Sequence, residues 1–425
     1  MNKNGYDIII IGSGMSGLYS AYNIKQMSPN TSFMILEKYK REWIGGRASN
    51  YTFYGTEVVT GAGVGRFKKD KLLYQLLQHL RIKTTEFTTN QEYSSLIDTP
   101  EDIVHTTEYL QKEYNKHHHH KHNDKPNITF KQFAQPLLGE KKYTNFIIST
   151  GFRDYENEDA YETLFHYGLE DDACCWKAFS VPWKKMVLKL ADTIGKQHFK
   201  FSNKVVQIST LPQTDKVFNY RFKIITEQGA IYYANKVIVA TTISGIRSLL
   251  PKFPIYKSIE GQPFLRLYGK FSKSSIPIIQ EYVKSVTIVP GPLQKIIPID
   301  SNKGVYMIAY NDNKNTITLS KRLENTEENR HFFCKLIEKS LGISSKHTSL
   351  HLIAIKDFYW PIGTHYYKPL DNKLYSSREE FIYKAQHPLQ NMLVVGEVVS
   401  RNQGWTEGAL ESVKSVLTKK WIQSV

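Results

Sequence analysis

The stretch "IIIIGSGMSGLYSAY", Ile8 to Tyr22, sets four isoleucines against a cluster of glycines and follows them with helix formers. A continuous apolar run that does not alternate reads as a strand buried on both faces, here Ile8 to Ile11. Met15 to Met27 reads as a helix. Between them Gly12, Gly14 and Gly17 fit the pattern G-x-G-x-x-G. In that pattern the first glycine makes a tight turn, the second lets a pyrophosphate approach the backbone, and the third lets helix and strand pack closely. The positive end of the helix meets the phosphates. A second apolar run, Phe33 to Leu36, ends at Glu37, 20 residues past Gly17, where an acid holds a ribose hydroxyl. An ordinary glycine-rich turn has no use for that acid, so the stretch reads as a dinucleotide-binding unit.

The remainder of the 425 residues is too long for one core and suits two or three domains. No apolar run reaches the ~18 residues that span a bilayer. The first apolar run lies behind Asp7 and reads as a strand, so no signal peptide is expected. Cys174, Cys175 and Cys334 show no metal spacing, and the adjacent pair are poor disulfide partners; a reducing cytoplasm and no metal are expected. The net charge of +16 attracts anions in general. Its basic residues are scattered, however, and the abundance of Lys, Asn, Ile and Tyr is that of an AT-rich genome, so nucleic acid is not an expected partner.

"NKHHHHKHNDKPN", Asn115 to Asn127, reads as a solvated loop, because no cysteine or carboxylate is spaced to close a metal site. It interrupts a region of helical pattern from Lys71 to about Gly195. Strand patterns return in "FKFSNKVVQIS", "YRFKIITEQGAIYYANKVIVATT", "FLRLYGKF", "GVYMIAYN" and "NMLVVGEVV". A helix from Trp405 to about Trp421 closes the chain. Lys236 to Ala240 and Asn391 to Val395 resemble the first strand and are expected in its parallel sheet.

Two further stretches, "ILEKYKREWIGGRAS" and "VVGEVVSRNQGWTEGALESVKSVL", resemble signatures of the flavin-containing amine oxidase superfamily, which includes monoamine, polyamine and L-amino-acid oxidases. The resemblance implies an α/β fold: a discontinuous Rossmann-like FAD-binding domain with a mixed α+β substrate domain. The FAD domain would take residues 1–70, 180–250 and 375–425. The substrate domain would take a helical part, 71–179, and a mixed sheet, 251–374. Gly45, Gly46 and Arg47 would meet the pyrophosphate, although the spacing from Glu37 is slightly longer than usual. Gly396 and Glu397 would meet the pyrophosphate and ribityl chain, Trp405 the flavin ring, and Val206 of "NKVVQI" the adenine. Ser13, Lys38, Gly63 and Val64 complete the implied contacts. Thr364 in "WPIGTHYYKPL" stands where a covalent cysteine is found in monoamine oxidases, so FAD is expected to be non-covalent.

The same resemblance marks a substrate side. "TGAGVGRF" is similar to a loop whose arginine clamps the substrate carboxylate in L-amino-acid oxidases, which gives Arg66; a pyrophosphate contact or a surface arginine are the other readings. Arg266 in "FLRLYGKFSK" takes the place of a lysine that bonds a water at flavin N5 and assists reoxidation. Arginine keeps the cation but has no neutral form. His365 would face Trp405 as the second wall or act as a base, with Tyr366 or Tyr367 replacing it if the loop slips. The implied reaction oxidises a C–N bond to an imine by hydride transfer to N5, with O2 reduced to H2O2. An amino acid comes ahead of a simple amine as substrate, and a polyamine third. A flavin desaturase, a protoporphyrinogen-type oxidase and a degenerate FAD-binding scaffold are the rivals. Proteins of this type occur in giant viruses, with which the composition is compatible.

Overall fold

The four isoleucines alternate between two cores. In the computed structural model, which describes residues 4–117, 127–212, 220–344 and 349–424, Ile8 and Ile10 pack with the helices Met15–Met27, Trp183–Ile194 and Thr406–Val416. Ile9 and Ile11 pack on the opposite face with the helices Ile243–Leu249 and Arg378–Gln386. Both faces of the strand are dry, which is why its sequence does not alternate.

This strand, Gly5–Ile11, lies in the middle of a seven-stranded sheet. It runs parallel to Phe33–Leu36 on one side and Ile231–Val239 on the other, and Met392–Val394 adds in parallel beyond Ile231–Val239. Phe199–Lys200 extends one edge, and the antiparallel pair Val205–Thr210 and Phe222–Thr226 extends the other. The sheet therefore draws on the beginning, middle and end of the chain, as the similarity among its apolar strands suggested.

A second, mixed sheet follows the order Leu352–Tyr367, Ile259–Phe271, Val305–Asp312, Lys295–Asp300, Val286–Ile288, Gln91–Tyr93. The helices Ile103–His117, Phe130–Leu138 and Glu140–Thr150 share a separate aromatic-rich core containing Tyr114, Phe130, Phe146 and Tyr155. The fold is α/β, a discontinuous Rossmann-like unit joined to a mixed substrate-side region, as expected.

Three local expectations are corrected. Short strands, Glu86–Thr88, Gln91–Tyr93 and Lys177–Phe179, enter the region read as helical, because each is completed by pairing with a distant or neighbouring strand that periodicity does not reveal. The closing helix is two: Thr406–Val416 ends, and the Thr418 side chain accepts from the Trp421 N–H to start Lys419–Gln423. Cys174 and Cys175 are bonded to each other. Cys175 adopts a φ of 76°, a turn that brings adjacent side chains to one side, so this pair no longer argues for a reducing compartment. The His-rich stretch, from 118 onward to 126, lies outside the described residues. Among those described, no helix is long and apolar enough to cross a membrane, and no group of three or more side chains is placed to hold a metal.

Candidate functional site

Three glycines of the opening motif do three different jobs. Gly12 turns with φ of 107°, and a Cβ there would lie 2.3 Å from the Ala240 carbonyl oxygen. A Cβ on Gly17 would lie 2.0 Å from the Gly12 oxygen, so this glycine lets helix and strand touch. Gly14 meets nothing within 4 Å and faces a large cavity, as does Gly46. An open, glycine-floored cradle at the start of a helix with no side-chain cap leaves backbone N–H groups for an anion. The cradle fits the pyrophosphate of a dinucleotide.

Around it the acids are held in place. Glu37 is buried; its Oε2 accepts from the Ser13 N–H and hydroxyl, both at 2.8 Å, and its Oε1 accepts from the Tyr39 N–H at 2.9 Å. Arg47 donates to the Gly363 carbonyl at 2.5 Å and to Glu397 Oε1 at 2.9 Å. Gly45 donates its N–H to Ser13 O at 2.9 Å, which ties the second signature to the first. Burial alone would raise the Glu397 carboxyl, but His365 and Arg47 beside it outweigh burial and hold it down to about 2. Lys38, Gly63, Val64 and Gly396 line the same cavity, whose volume is about 1270 Å³. Val206 does not line it: a β-bulge leaves Val206 as the extra residue between the paired Val205 and Gln207, and its side chain is exposed. Val205, one position earlier, lines the cavity instead.

The chain leaving the hairpin of Asn50–Phe53 and Thr56–Val59 is clamped through its carbonyls. Tyr268 donates to Val59 at 2.6 Å, and Trp360 to Thr60, Arg266 to Gly61 and Trp183 to Gly63, each at 2.7 Å. Arg266 thus belongs to this loop as well as to the cavity. Its guanidinium also donates to the Tyr310 hydroxyl at 3.2 Å and lies 4.2 Å from the centre of that ring. Trp405 occupies the N-cap position of the Thr406–Val416 helix and lines the cavity.

Two sequence expectations meet different partners. Arg66 is buried and bonds Asp70 at 2.8 and 3.0 Å and Asp171 at 3.0 Å, while its guanidinium lies 3.7 Å from the Trp405 ring centre. Two carboxylates take three of the five guanidinium N–H groups, and Arg66 stands behind Trp405 and outside the lining of the cavity. His365 is buried and lines the cavity. Its Nε2 accepts from the Ile243 N–H at 3.1 Å, so its proton sits on Nδ1, which donates to Glu397 at 2.5 Å. Neither nitrogen is left to act as a base. Thr364 lines the cavity with a buried Oγ1 that has no partner among the described residues.

The far wall was not visible in the sequence. Phe152, Asp154, Asp172, Gln262, Lys295 and Tyr310 converge there from five separate segments. Lys295 sits 3.4 Å from the Phe152 ring centre. Burial pushes its ammonium down to about 8, against the pull of Asp172, Asp312 and Asp154. Burial likewise pushes Asp154 up to about 6, Asp312 up to about 8, and Asp172 well above the ordinary range. Asp172 Oδ2 and Gln262 Oε1 are buried acceptors without partners among the described residues. Glu158 and Glu162 add further carboxylates to the lining. Each of these residues is an ordinary strand or loop residue in its own segment, so no local pattern marks it.

Residues 10–80 match the family model of the NAD(P)-binding Rossmann-like domain. Comparison with curated proteins finds no match. Among solved structures, a putrescine oxidase bound to putrescine superposes with a TM-score of 0.72 at 13% identity, over 97% of this chain and 98% of that one. Cyclohexylamine oxidase from Brevibacterium oxydans IH-35A superposes with a TM-score of 0.71 at 14% identity, over 98% of each chain. Over nearly its whole length, this chain has the fold of putrescine oxidase and cyclohexylamine oxidase.

Proposed function

We propose that the protein is an FAD-dependent oxidase that converts the C–N bond of an amine to an imine and reduces O2 to H2O2. One observation carries the reading: a single cavity joins the glycine cradle and Glu37 to the walls formed by Arg266 and Trp405. The fold shared with two amine oxidases supports it. Gly12, Ser13, Gly14, Glu37, Lys38, Gly45, Gly46, Arg47, Gly63, Val64, Val205, Gly396 and Glu397 would hold FAD, with Gly17 letting the helix close on the strand beneath them. Bound there, the flavin supplies an acceptor for the hydride beside the substrate nitrogen.

The chain's own groups supply position and charge. Trp405, backed by Arg66, forms one face of the substrate space. Arg266 fixes the loop at Gly61 and places a permanent cation in the cavity. The buried acceptors of the far wall, Asp172 Oδ2 and Gln262 Oε1, suit the N–H donors of an amine, which puts an amine ahead of an amino acid now that Arg66 is paired. Thr364 has no thiol, so FAD is held without a covalent bond.

The purified protein should be yellow, release FAD into the supernatant on acid precipitation, and form H2O2 with amines in air. Colour retained in the pellet would refute the Thr364 reading, and amine-independent colour with no H2O2 would refute oxidase function.

A further inference from the structure

Arg266 brings a cation to the cavity but has no neutral form with which to accept a proton. Alkylamines arrive at neutral pH as ammonium ions, whose nitrogen has no lone pair. Some group must take that proton before the C–H bond beside it can give up a hydride.

Lys295 is placed for this. It begins the strand Lys295–Asp300, is 5% exposed, and lines the cavity together with Arg266 and Tyr310. Its ammonium rests on Phe152, whose ring meets Tyr310 edge-on at 5.5 Å between centres, and Tyr310 in turn carries the Arg266 guanidinium. Lys295 and Arg266 therefore flank one aromatic pair. Gly151 makes the room: a Cβ there would lie 2.3 Å from Lys295 Cε. The charged groups facing Lys295 are Asp154 from the loop after Gly151, Asp172 from the turn before the cysteines, Asp312 from the end of the strand Val305–Asp312, and Arg266 from Ile259–Phe271, two strands away in the sheet.

We propose that Lys295 accepts the proton of the substrate's ammonium, so that the amine reaches the flavin side of the cavity in its neutral form. The proposal rests on the amine-oxidising reading. One N–H bond of R–CH2–NH3+ breaks, its electron pair stays on the nitrogen as the lone pair, and the proton bonds to the lone pair of Lys295 Nζ. The products are R–CH2–NH2 and a lysine ammonium, which the Phe152 ring and the Asp154 carboxylate then stabilise. Burial supplies the neutral lysine that the step requires, since it lowers the group to about 8 and makes the acceptor form available near neutral pH.

The test uses the FAD-loaded protein and Lys295→Met, with Lys295→Arg as a variant that keeps the charge and cannot accept a proton. The first readout is anaerobic flavin reduction by a primary alkylamine across pH. Wild type should show a rate that rises with pH through about 8. Lys295→Met and Lys295→Arg should be at least tenfold slower at neutral pH and recover only as pH approaches about 10, where solution supplies neutral amine. The second readout is binding of tert-butylamine, which has no hydrogen beside its nitrogen and cannot be oxidised. Its affinity should rise through the same range in wild type and show no step in Lys295→Met. Unchanged profiles in both variants would overturn the role of Lys295 alone. Failure of every amine to reduce wild-type flavin would overturn the amine-oxidising reading, and the role of Lys295 with it.

Discussion

The two ends of the cavity are built in opposite ways. At the cradle, recognition is by backbone: three glycines, a helix start and an acid at the end of a strand, all within Gly5–Glu37. The far wall is built of side chains from residues more than a hundred positions apart, as when Gln262 donates to the Asp154 carbonyl and Lys295 meets Phe152. A backbone site needs a fixed local spacing, so its chemistry is written contiguously. A side-chain site needs only that the fold deliver the groups, so the same residue type can serve support or catalysis according to what packs beside it. Arg66 is the clearest instance: its own neighbour four positions on, Asp70, claims the guanidinium.

The largest effect expected of any change that tests this contrast is at Arg66. If it supports Trp405, Arg66→Ala leaves Asp70 as a buried carboxylate without its cation, while Asp171 keeps Lys69, and should cost about 3–5 kcal/mol of stability. Denaturant unfolding of the variant measures this. A carboxylate clamp would behave differently, losing affinity for amino acids while stability stayed near wild type.

Glu397 comes next, since it links the two ends through Arg47 and His365. Its depressed carboxyl stabilises the folded state above the ordinary value of 4.5, and that contribution is lost as pH falls through about 2. Glu397→Gln should therefore be less stable than wild type at neutral pH, by on the order of 3 kcal/mol. The gap should close as pH falls through that acid range. A gap independent of pH would mean that the residue acts through packing alone.

Smaller still is the split among the cradle glycines. Gly17→Ala forces a methyl against the Gly12 carbonyl and should cost about 1–3 kcal/mol, read from thermal unfolding of the apoprotein. Gly14→Ala projects into open space and should leave the apoprotein within about 0.5 kcal/mol of wild type while lowering its FAD content. Equal losses of stability would erase the distinction between a packing glycine and a cofactor-facing one.

How much of this was legible follows the same division. The strand Phe33–Leu36 and the helix Met15–Met27 stand where their apolar patterns put them, and Ile231–Val239 and Met392–Val394 join the parallel sheet as their likeness to the first strand suggested. Val205 and not Val206 lines the cavity because a bulge falls between Val205 and Gln207, and a bulge is a property of strand pairing that leaves no mark on a single strand. The closing helix was read as one because its apolar spacing continues through Leu417, whereas the break is made by a single capping hydroxyl at Thr418. Lys295 was invisible because it opens an apolar strand as an ordinary lysine would. Its burial depends on Gly151, Phe152 and three aspartates from elsewhere in the chain.

Anaerobic mixing of the yellow protein with paired compounds, each amine beside the amino acid that carries the same side chain, separates the possibilities at a stroke. Bleaching of the flavin by the amines, with the matching amino acids far slower, is the expected result. Bleaching by the amino acids in preference to the amines, abolished in Arg66→Ala, would return Arg66 to a carboxylate clamp and contradict the assignment of the far wall to an amine.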